Sequence, residues 1–172
     1  MMADSDRTQV MTGGCQCGAV RYALYAAPEK VGICHCRMCQ KAVGGPFFAW
    51  AGVPAADLVW TRGRPATFRS SSVAERGFCA ACGTPLSFRY LSRLEAIDVS
   101  LGSLDHPDAV EPMHVMGVES RLSWCATLLE TRPATESGAV DPPDDLRTIV
   151  DLQHPDHDTA PDWRPPDVAA PH

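Results

Sequence analysis

Hydrophobic and polar residues alternate along several short stretches of the chain. The alternating apolar positions are Val20, Tyr22 and Leu24, then Leu86, Phe88 and Tyr90, then Ile97, Val99 and Leu101. A period of two is typical of a strand that has one face in the core. The uninterrupted apolar run 47–51 predicts a buried strand, and turn signals such as Arg62-Gly63-Arg64-Pro65 separate the pieces.

Helical signals are weak by comparison, and they predict only a turn or two over Arg37–Val43. The sequence contains no internal repeat and no glycine-rich loop of the kind that binds phosphate. The pattern as a whole therefore predicts a mainly β domain built from short antiparallel strands.

Length and composition fit one globular domain with an appendage, since the chain has 172 residues, 45% of them hydrophobic and 21% charged. The longest uncharged stretch, 42–56, is interrupted by Pro46 and Pro54 and is shorter than the roughly 20 residues of a membrane span. Residues 1–12 have no apolar core, so we expect no secretory signal peptide and no membrane partner. The expected compartment is the cytoplasm.

The net charge of −6 is concentrated at one end of the chain. Residues 133–172 carry nine acidic and two basic side chains together with eight prolines, whereas residues 1–132 are almost neutral. Such a composition predicts a largely irregular, solvated extension, of which only 146–152 is apolar enough to dock. We therefore expect an N-terminal segment 1–12, a domain 13–132 and an acidic Pro-rich tail 133–172. Nucleic-acid binding usually leaves an excess of basic residues, and the sequence has none, so we expect no nucleic-acid partner.

Seven of the eight cysteines fall into three close groups, and Cys125 stands apart. The groups are Cys15 and Cys17, then Cys34, Cys36 and Cys39, then Cys79 and Cys82. In a cytoplasmic chain thiols stay reduced, and cysteines at these spacings bind metal more often than they form disulfides or redox pairs. Clustered thiolates favour zinc. The sequence thus predicts zinc sites.

A glycine follows the second cysteine of two groups, in Cys15-Gln-Cys17-Gly18 and Cys79-Ala-Ala-Cys82-Gly83. Glycine adopts positive φ without strain, which lets the chain turn around a metal and direct N–H groups at sulfur. Two such turns facing each other would supply four thiolates and close a tetrahedral zinc site. We therefore predict a structural zinc at these four cysteines.

The remaining group, Cys34-His35-Cys36-x-x-Cys39, offers three thiolates and leaves one tetrahedral position for an exchangeable ligand. His35 would point away, because alternate residues of a strand face opposite sides. Two alternatives would close the site, with either Cys125 or His114 as the fourth ligand. An open zinc site with three thiolates is suited to chemistry on a small thiol, since a coordinated thiol loses its proton.

These motifs carry a resemblance to a known family. The main segments are Cys15-Gln-Cys17-Gly18, Cys34-His35-Cys36-x-x-Cys39, Phe78-Cys79-x-x-Cys82-Gly83-Thr84-Pro85-Leu86 and Leu101-Gly102-Ser103-Leu104-Asp105. Gly44, 46–50 and Ser120-Arg121-x-x-Trp124 are also similar to the same pattern. Over residues 13–128 they resemble the glutathione-dependent formaldehyde-activating enzymes, whose superfamily includes centromere protein V. The acidic tail has no counterpart in this pattern.

The resemblance implies a zinc-stapled β-tent with two zinc ions per chain. The structural ion would bind Cys15, Cys17, Cys79 and Cys82, and the second would bind the catalytic trio Cys34, Cys36 and Cys39. The implied activity is that of a carbon–sulfur lyase, which in the reverse direction joins glutathione to formaldehyde as S-(hydroxymethyl)glutathione. The implied partners are a small thiol and a small aldehyde.

Some residues near these motifs are candidates for substrate binding. Arg37, Lys41 and Arg121 could hold the carboxylates of an anionic tripeptide, and Trp50 could form a wall of the pocket together with Phe47 and Phe48. Two other functions stay open. The chain could be a non-catalytic binding or scaffold module that zinc stabilises, or a sensor of thiols or zinc. The sequence gives no oligomeric state.

Overall fold

The computed structural model describes residues 8–130 and 150–166. In these ranges the chain forms ten strands and one α-helix, joined by short 3-10 turns. The elements are β1 (Met11–Gly14), β2 (Arg21–Leu24), β3 (Lys30–Cys34), α1 (Arg37–Val43), β4 (Phe48–Pro54), β5 (Leu58–Arg62), β6 (Ala66–Phe68), β7 (Ala74–Phe78), β8 (Pro85–Tyr90), β9 (Ala96–Ser100) and β10 (His114–Met116). The prediction of a mainly β fold is confirmed.

The strands form two sheets. The smaller sheet has the order β1-β2-β5 and the larger has the order β10-β3-β4-β9-β8-β7-β6. Every pair is antiparallel except β10 and β3, which run parallel at the edge of the larger sheet. The predicted alternating stretches fall on β2, β8 and β9, and the apolar run falls on β4. The predicted helix is α1, with the bounds expected from the sequence.

The core lies between the two sheets. Its fully buried side chains include Tyr22, Leu24, Leu86 and Val99. Tyr22 approaches the chain so closely at Gly13 that a Cβ there would lie 2.4 Å from the phenol oxygen, so position 13 has no room for a side chain. The strand that alternation predicted as one-sided, β2, is buried at all four positions because it lies between β1 and β5.

One position of β2 places a charge in this interior. Arg21 is buried and binds Asp105 through two parallel hydrogen bonds, one of them 2.8 Å long from Nη1 to Oδ1. Burial tends to raise the pKa of Asp105, but hydrogen bonds from Arg21 and Thr12 outweigh it and hold that pKa below its usual range. Arg21 also donates to Asp158, 3.0 Å away. The pair therefore joins the small sheet to the C-terminal segment.

That segment, residues 150–166, has neither helix nor strand but packs on the body. The backbone N–H of His154 donates to the Gln16 carbonyl at 2.8 Å, and the buried His154 ring lies edge-on to Trp163. Arg62 of β5 donates to the carbonyls of Thr159 and Ala160. The composition predicts a solvated extension. In this stretch it is instead held by polar and ring contacts that no hydrophobic pattern signals.

Candidate metal centres and cavity

The four cysteines with following glycines come together from two distant turns. Cys15 follows β1 and Cys79 follows β7, and each begins a tight turn that closes with a backbone hydrogen bond from the glycine N–H, Gly18 or Gly83, to the cysteine carbonyl. Both glycines have positive φ, 72° and 79° respectively. The four Sγ atoms, including those of Cys17 and Cys82, lie within 4.8 Å of one another. The facing turns predicted from the sequence are present.

The sulfur spacing fits a metal ion. Cys15 Sγ lies 3.6 Å from Cys17 Sγ, which lies 3.8 Å from Cys79 Sγ. Zinc–sulfur bonds of about 2.3 Å in a tetrahedron put sulfurs about 3.8 Å apart, whereas a disulfide bond is only about 2.05 Å long. All eight cysteines are free thiols. The four therefore fit one tetrahedral ion in their midst.

The surroundings of these thiols also fit a cation. Burial raises the pKa of Cys15 to about 12, so that thiol stays protonated at neutral pH unless a positive charge replaces the proton. Burial acts on Cys82 too, but hydrogen bonds from the hydroxyl and backbone N–H of Thr84 lower its pKa to about 6. The N–H of Val20 donates to Cys15 Sγ at 3.2 Å. Donors directed at sulfur in this way stabilise thiolates.

The second cluster is local. Cys34 ends β3, Cys36 lies just before α1, and Cys39 lies in its first turn, with the three Sγ atoms within 4.8 Å of one another. Neither Cys125 nor His114 joins this trio in the described part of the chain. His114 lies on β10, where its backbone pairs with Gly32 and its side chain is exposed. Both alternatives for a fourth protein ligand thus lack support.

The residue between the first two ligands of the trio points elsewhere, as strand alternation predicts. His35 is buried, with its ring edge-on to Phe47 at 5.5 Å. Its carbonyl accepts a hydrogen bond from the side chain of buried Gln40, which also donates to the Ser120 carbonyl. Gly117 packs on the other side of the loop, so closely that a Cβ would lie 2.6 Å from the Cys36 nitrogen. These contacts fix the loop that carries the thiols.

The trio opens onto a cavity of about 830 Å³ on one face of the larger sheet. All three cysteines line it, and so do Phe48 and Trp50 of β4. The four-cysteine cluster does not line it. Burial raises the pKa of Cys39 to about 12, against the opposing charge of a nearby arginine, and backbone N–H donors more than offset burial to lower the pKa of Cys36. The four-cysteine cluster therefore lies away from the cavity, and the trio faces it.

The nearby arginine is Arg76 of β7, which sequence analysis missed. Its Nη2 donates to Cys39 Sγ at 3.3 Å, and its guanidinium lies over the rings of Phe48 and Phe88, 5.6 and 4.9 Å from their centres. Its buried Nε has no hydrogen-bond partner in the described residues. The position carries no sequence signal, because an isolated arginine in a strand resembles any solvent-facing one. Strand register alone brings it to the thiols.

Only some of the residues predicted to bind substrate line the cavity. Trp50 lies on its floor, where its ring spreads beside Gly32 and Gly52. Arg37, Lys41 and Arg121 do not line it. Lys41 faces an adjoining cavity of about 500 Å³, and Arg37 donates to the side chain of Gln40. A substrate role for these three residues remains a prediction from the sequence.

The fold and sites define a class, namely mainly β proteins with one four-cysteine cluster and one cavity-facing cluster of three cysteines. Residues 10–120 match the family described as glutathione-dependent formaldehyde-activating enzyme, and the chain belongs to that family. The resemblance drawn from the motifs is confirmed. Among the described residues, no helix is long and apolar enough to cross a membrane.

Two relatives carry enzyme names. An uncharacterized lyase of Schizosaccharomyces pombe is 35% identical over 78 residues, or 45% of this chain and 56% of that protein. The match thus spans little more than half of that relative. A putative glutathione-dependent formaldehyde-activating enzyme of Halomonas elongata is 28% identical over 126 residues, covering 67% of this chain and 79% of the other. A crystal structure of a Rhodobacter sphaeroides protein aligns with 25% identity and a TM-score of 0.48, covering 62% of this chain and 98% of that one.

Proposed function

We propose that the chain is a zinc-dependent carbon–sulfur lyase-like enzyme that adds a small thiol, glutathione or a close analogue, to a small aldehyde. The observation that carries this proposal is the trio Cys34, Cys36 and Cys39 at the wall of a cavity of about 830 Å³. Small-molecule sites of about 300–1,000 Å³ are usual, so a tripeptide fits. The family membership and the enzyme names of both relatives support the same chemistry.

The proposed cofactor is zinc, two ions per chain, with four thiolates holding one and three the other. At the trio a bound ion would lower the pKa of an incoming thiol and keep it as thiolate. Arg76 would offset part of the negative charge that three cysteine thiolates create. Phe48, Phe88 and Trp50 would exclude water around the reacting sulfur, which strengthens these electrostatic interactions.

The addition of the thiol to the aldehyde needs no oxidant, reductant or other reagent. The substrate thiol gives up its proton, and its sulfur forms a bond to the carbonyl carbon. The electron pair of the broken C=O π bond goes to oxygen, which takes up a proton, so the product is a hydroxymethyl-type thioether. The reverse reaction is the cleavage that defines a carbon–sulfur lyase. The cavity holds both reactants in one place, which lowers the entropic cost of their encounter.

Exchange between formaldehyde and its glutathione adduct tests the proposal by nuclear magnetic resonance with carbon-13 formaldehyde. The protein should accelerate exchange, and Cys36→Ser should abolish the acceleration. Cys125→Ser is the matched control, because Cys125 is outside both clusters, and it should keep full activity. Unaltered exchange in the presence of the wild-type protein would contradict the enzyme proposal and favour a scaffold.

Metal content and coordination provide an independent test. Elemental analysis of freshly purified, reduced protein should give close to two zinc ions per chain. X-ray absorption at the zinc edge should show the mean sulfur count rising from roughly 3.5 to roughly 4 per zinc on addition of glutathione, the averages for a four- and a three-thiolate site before and after thiol binding. A count that does not move would identify the second site as closed.

A further inference from the structure

The end of the cavity away from the cysteines is charged. Lys30, Arg93 and Asp98 line it, with Glu29, Arg89 and Glu95 also on the rim. Arg89 is already paired with Glu75 at 2.6 Å, and Arg93 stacks on the ring of Tyr90. A cavity with thiols at one end and charges of both signs at the other suits a substrate that is itself polar at both ends.

Asp98 is the distinctive group of this charged end. Its side chain is partly buried on β9, yet it makes no hydrogen bond or ion pair within the described ranges. Its strand neighbours are Gly52 on β4 and Phe88 on β8, neither of which offers a donor side chain. Burial, opposed by the charge of Arg93, raises the pKa of Asp98 to about 6, so the group is still mostly ionised at neutral pH. A carboxylate kept without a partner in a cavity wall is costly to the fold.

The space over this carboxylate is left open by a glycine. A Cβ at Gly52 would lie 3.0 Å from Asp98 Oδ1, so any other residue at position 52 would crowd the carboxylate. The ring of Trp50 lies next to Gly52 on the same face of β4. Asp98 is therefore both unpartnered and accessible from the cavity.

Distance separates Asp98 from the reaction itself. Cys34 pairs with Phe48 from one side of β4, and Asp98 pairs with Gly52 from the other side, four residue steps further along. Four steps along the strand and two inter-strand spacings across it put the two backbone positions about 16 Å apart. Direct proton transfer needs contact within about 3 Å, which rules out Asp98 as the acid or base for the thiol. In an extended γ-glutamylcysteinyl thiol the α-amino nitrogen lies about 10 Å from sulfur. The side chains of the trio and of Asp98, together with the bonds each would make to the ligand, cover the remaining few ångströms.

We propose that Asp98 binds the α-amino group of the thiol substrate, and that Arg93 and Lys30 bind the carboxylate beside it. The cavity would then select thiols that carry an amino-acid zwitterion about 10 Å from their sulfur, and would bind simple alkyl thiols weakly. This inference rests on the proposed function for the position of the sulfur. It assigns a specificity-determining residue that does not touch the reacting atoms.

The test measures binding rather than turnover. The probe is S-methylglutathione, which has no free thiol and so binds without coordinating metal, and the readout is isothermal titration calorimetry. Asp98→Asn should weaken binding by about tenfold or more, because one charge-assisted hydrogen bond is lost. Glu95→Gln is the matched control, since it also turns a rim carboxylate into an amide, but at an exposed position. It should change the affinity less than twofold.

A second ligand makes the result independent of the variant's folding. The analogue of S-methylglutathione that lacks only the α-amino group should bind wild-type protein about tenfold more weakly, and Asp98→Asn should not weaken it further. Equal affinity of wild-type protein for the two ligands, or equal losses in Glu95→Gln and Asp98→Asn, would overturn the inference. Amine-selective binding without any acceleration of aldehyde exchange would sink the proposed function while leaving this inference standing.

Discussion

The ionised Asp98 carboxylate lowers the free energy of unfolding, and a neutral residue at this position should raise it. Its folded pKa of about 6 lies above the ordinary value of about 3.9. Between these two pH values the unfolded chain releases the proton that the folded chain retains, so stability falls as pH rises through this window and the loss is complete above pH 6. Asp98→Asn removes the ionisation and should raise the free energy of unfolding at pH 7.5 by about 1–2 kcal/mol.

The same substitution should have almost no effect at pH 3.5, where both states hold the proton. Thermal unfolding of wild-type protein and Asp98→Asn at the two pH values measures this change in stability. Glu95→Gln, at an exposed position, is the control, and its stability should equal that of the wild type at both pH values. A variant that is less stable than wild type at pH 7.5 would mean that the carboxylate has a stabilising partner. The group would then be a structural residue and not a binding residue.

Arg76 is the other side chain whose role depends on a single contact. Arg76→Met keeps the packing between Phe48 and Phe88 but removes the positive charge and the hydrogen bond to Cys39. Groups that hydrogen-bond to metal ligands typically change metal affinity by 10–100-fold, so we expect the second metal to be lost to a competing chelator at about tenfold lower concentration. Arg69→Met, at an exposed position, is the control. If Arg76→Met and the wild-type protein lost the second metal at the same chelator concentration, Arg76 would have no role in holding that metal.

Individual residues also show what the sequence could and could not predict. The three groups of cysteines each have local spacings of two to five residues, and a glycine marks each of the two turns that face each other. Both predicted sites could therefore be identified from the sequence. Arg76 and Asp98 could not, because each reaches the cavity through pairing across the sheet. The register runs from Phe68 to Arg76 to Phe88 to Asp98 to Gly52 over five strands. No periodicity within one strand contains that information.

At the scale of elements, the two glycine turns offer a matched pair. Gly18 and Gly83 have nearly the same positive φ, so alanine at either position should cost about 1–2 kcal/mol in backbone strain. Around Gly83 a Cβ would meet nothing within 4 Å, but at Gly18 it would lie 2.3 Å from the His154 ring and 3.0 Å from Trp163. Gly18→Ala should therefore also displace the segment 150–166.

Urea unfolding and limited proteolysis separate the two effects. Both variants should lose a similar amount of stability to strain, and only Gly18→Ala should become cleavable within residues 150–166. Cleavage of that segment in both variants, or in neither, would show that its contact with the Cys15–Gly18 turn does not hold it in place. The strands themselves were predictable from alternation, but this docking was not, since it depends on hydrogen bonds from Arg62 and Arg21.

For the whole molecule, the four-cysteine cluster should be needed for folding, whereas the trio should not. Structural zinc is worth on the order of 10–16 kcal/mol, comparable to the stability of an entire domain. Cys79→Ser should therefore abolish the cooperative thermal transition, because it removes a ligand from the cluster that joins the ends of β1 and β7. Cys36→Ser should remove one metal and leave most of the β signal in circular dichroism.

Elemental analysis of both variants accompanies the spectra. One zinc with a folded spectrum is expected for Cys36→Ser, and Cys125→Ser should match the wild type in both measurements. Equal loss of structure in Cys79→Ser and Cys36→Ser would make the trio a second structural site. The overall class of fold was predictable because it follows from composition and alternation. The cavity depends on how seven strands curve together, which no local signal predicts.

The ligands of the two clusters are also separated by very different lengths of chain, and this decides which cluster can form first during synthesis. Cys34 to Cys39 span six residues, but Cys17 and Cys79 are 62 positions apart, and closing such a loop costs about 4 kcal/mol. At about 5–20 residues per second, the ribosome completes the trio some seconds before it reaches Cys79. A metal at the trio would thus be captured first, and a metal at the four-cysteine cluster last. A peptide of residues 30–45 should accordingly bind cobalt far more tightly than one of residues 10–25, as thiolate absorption would report.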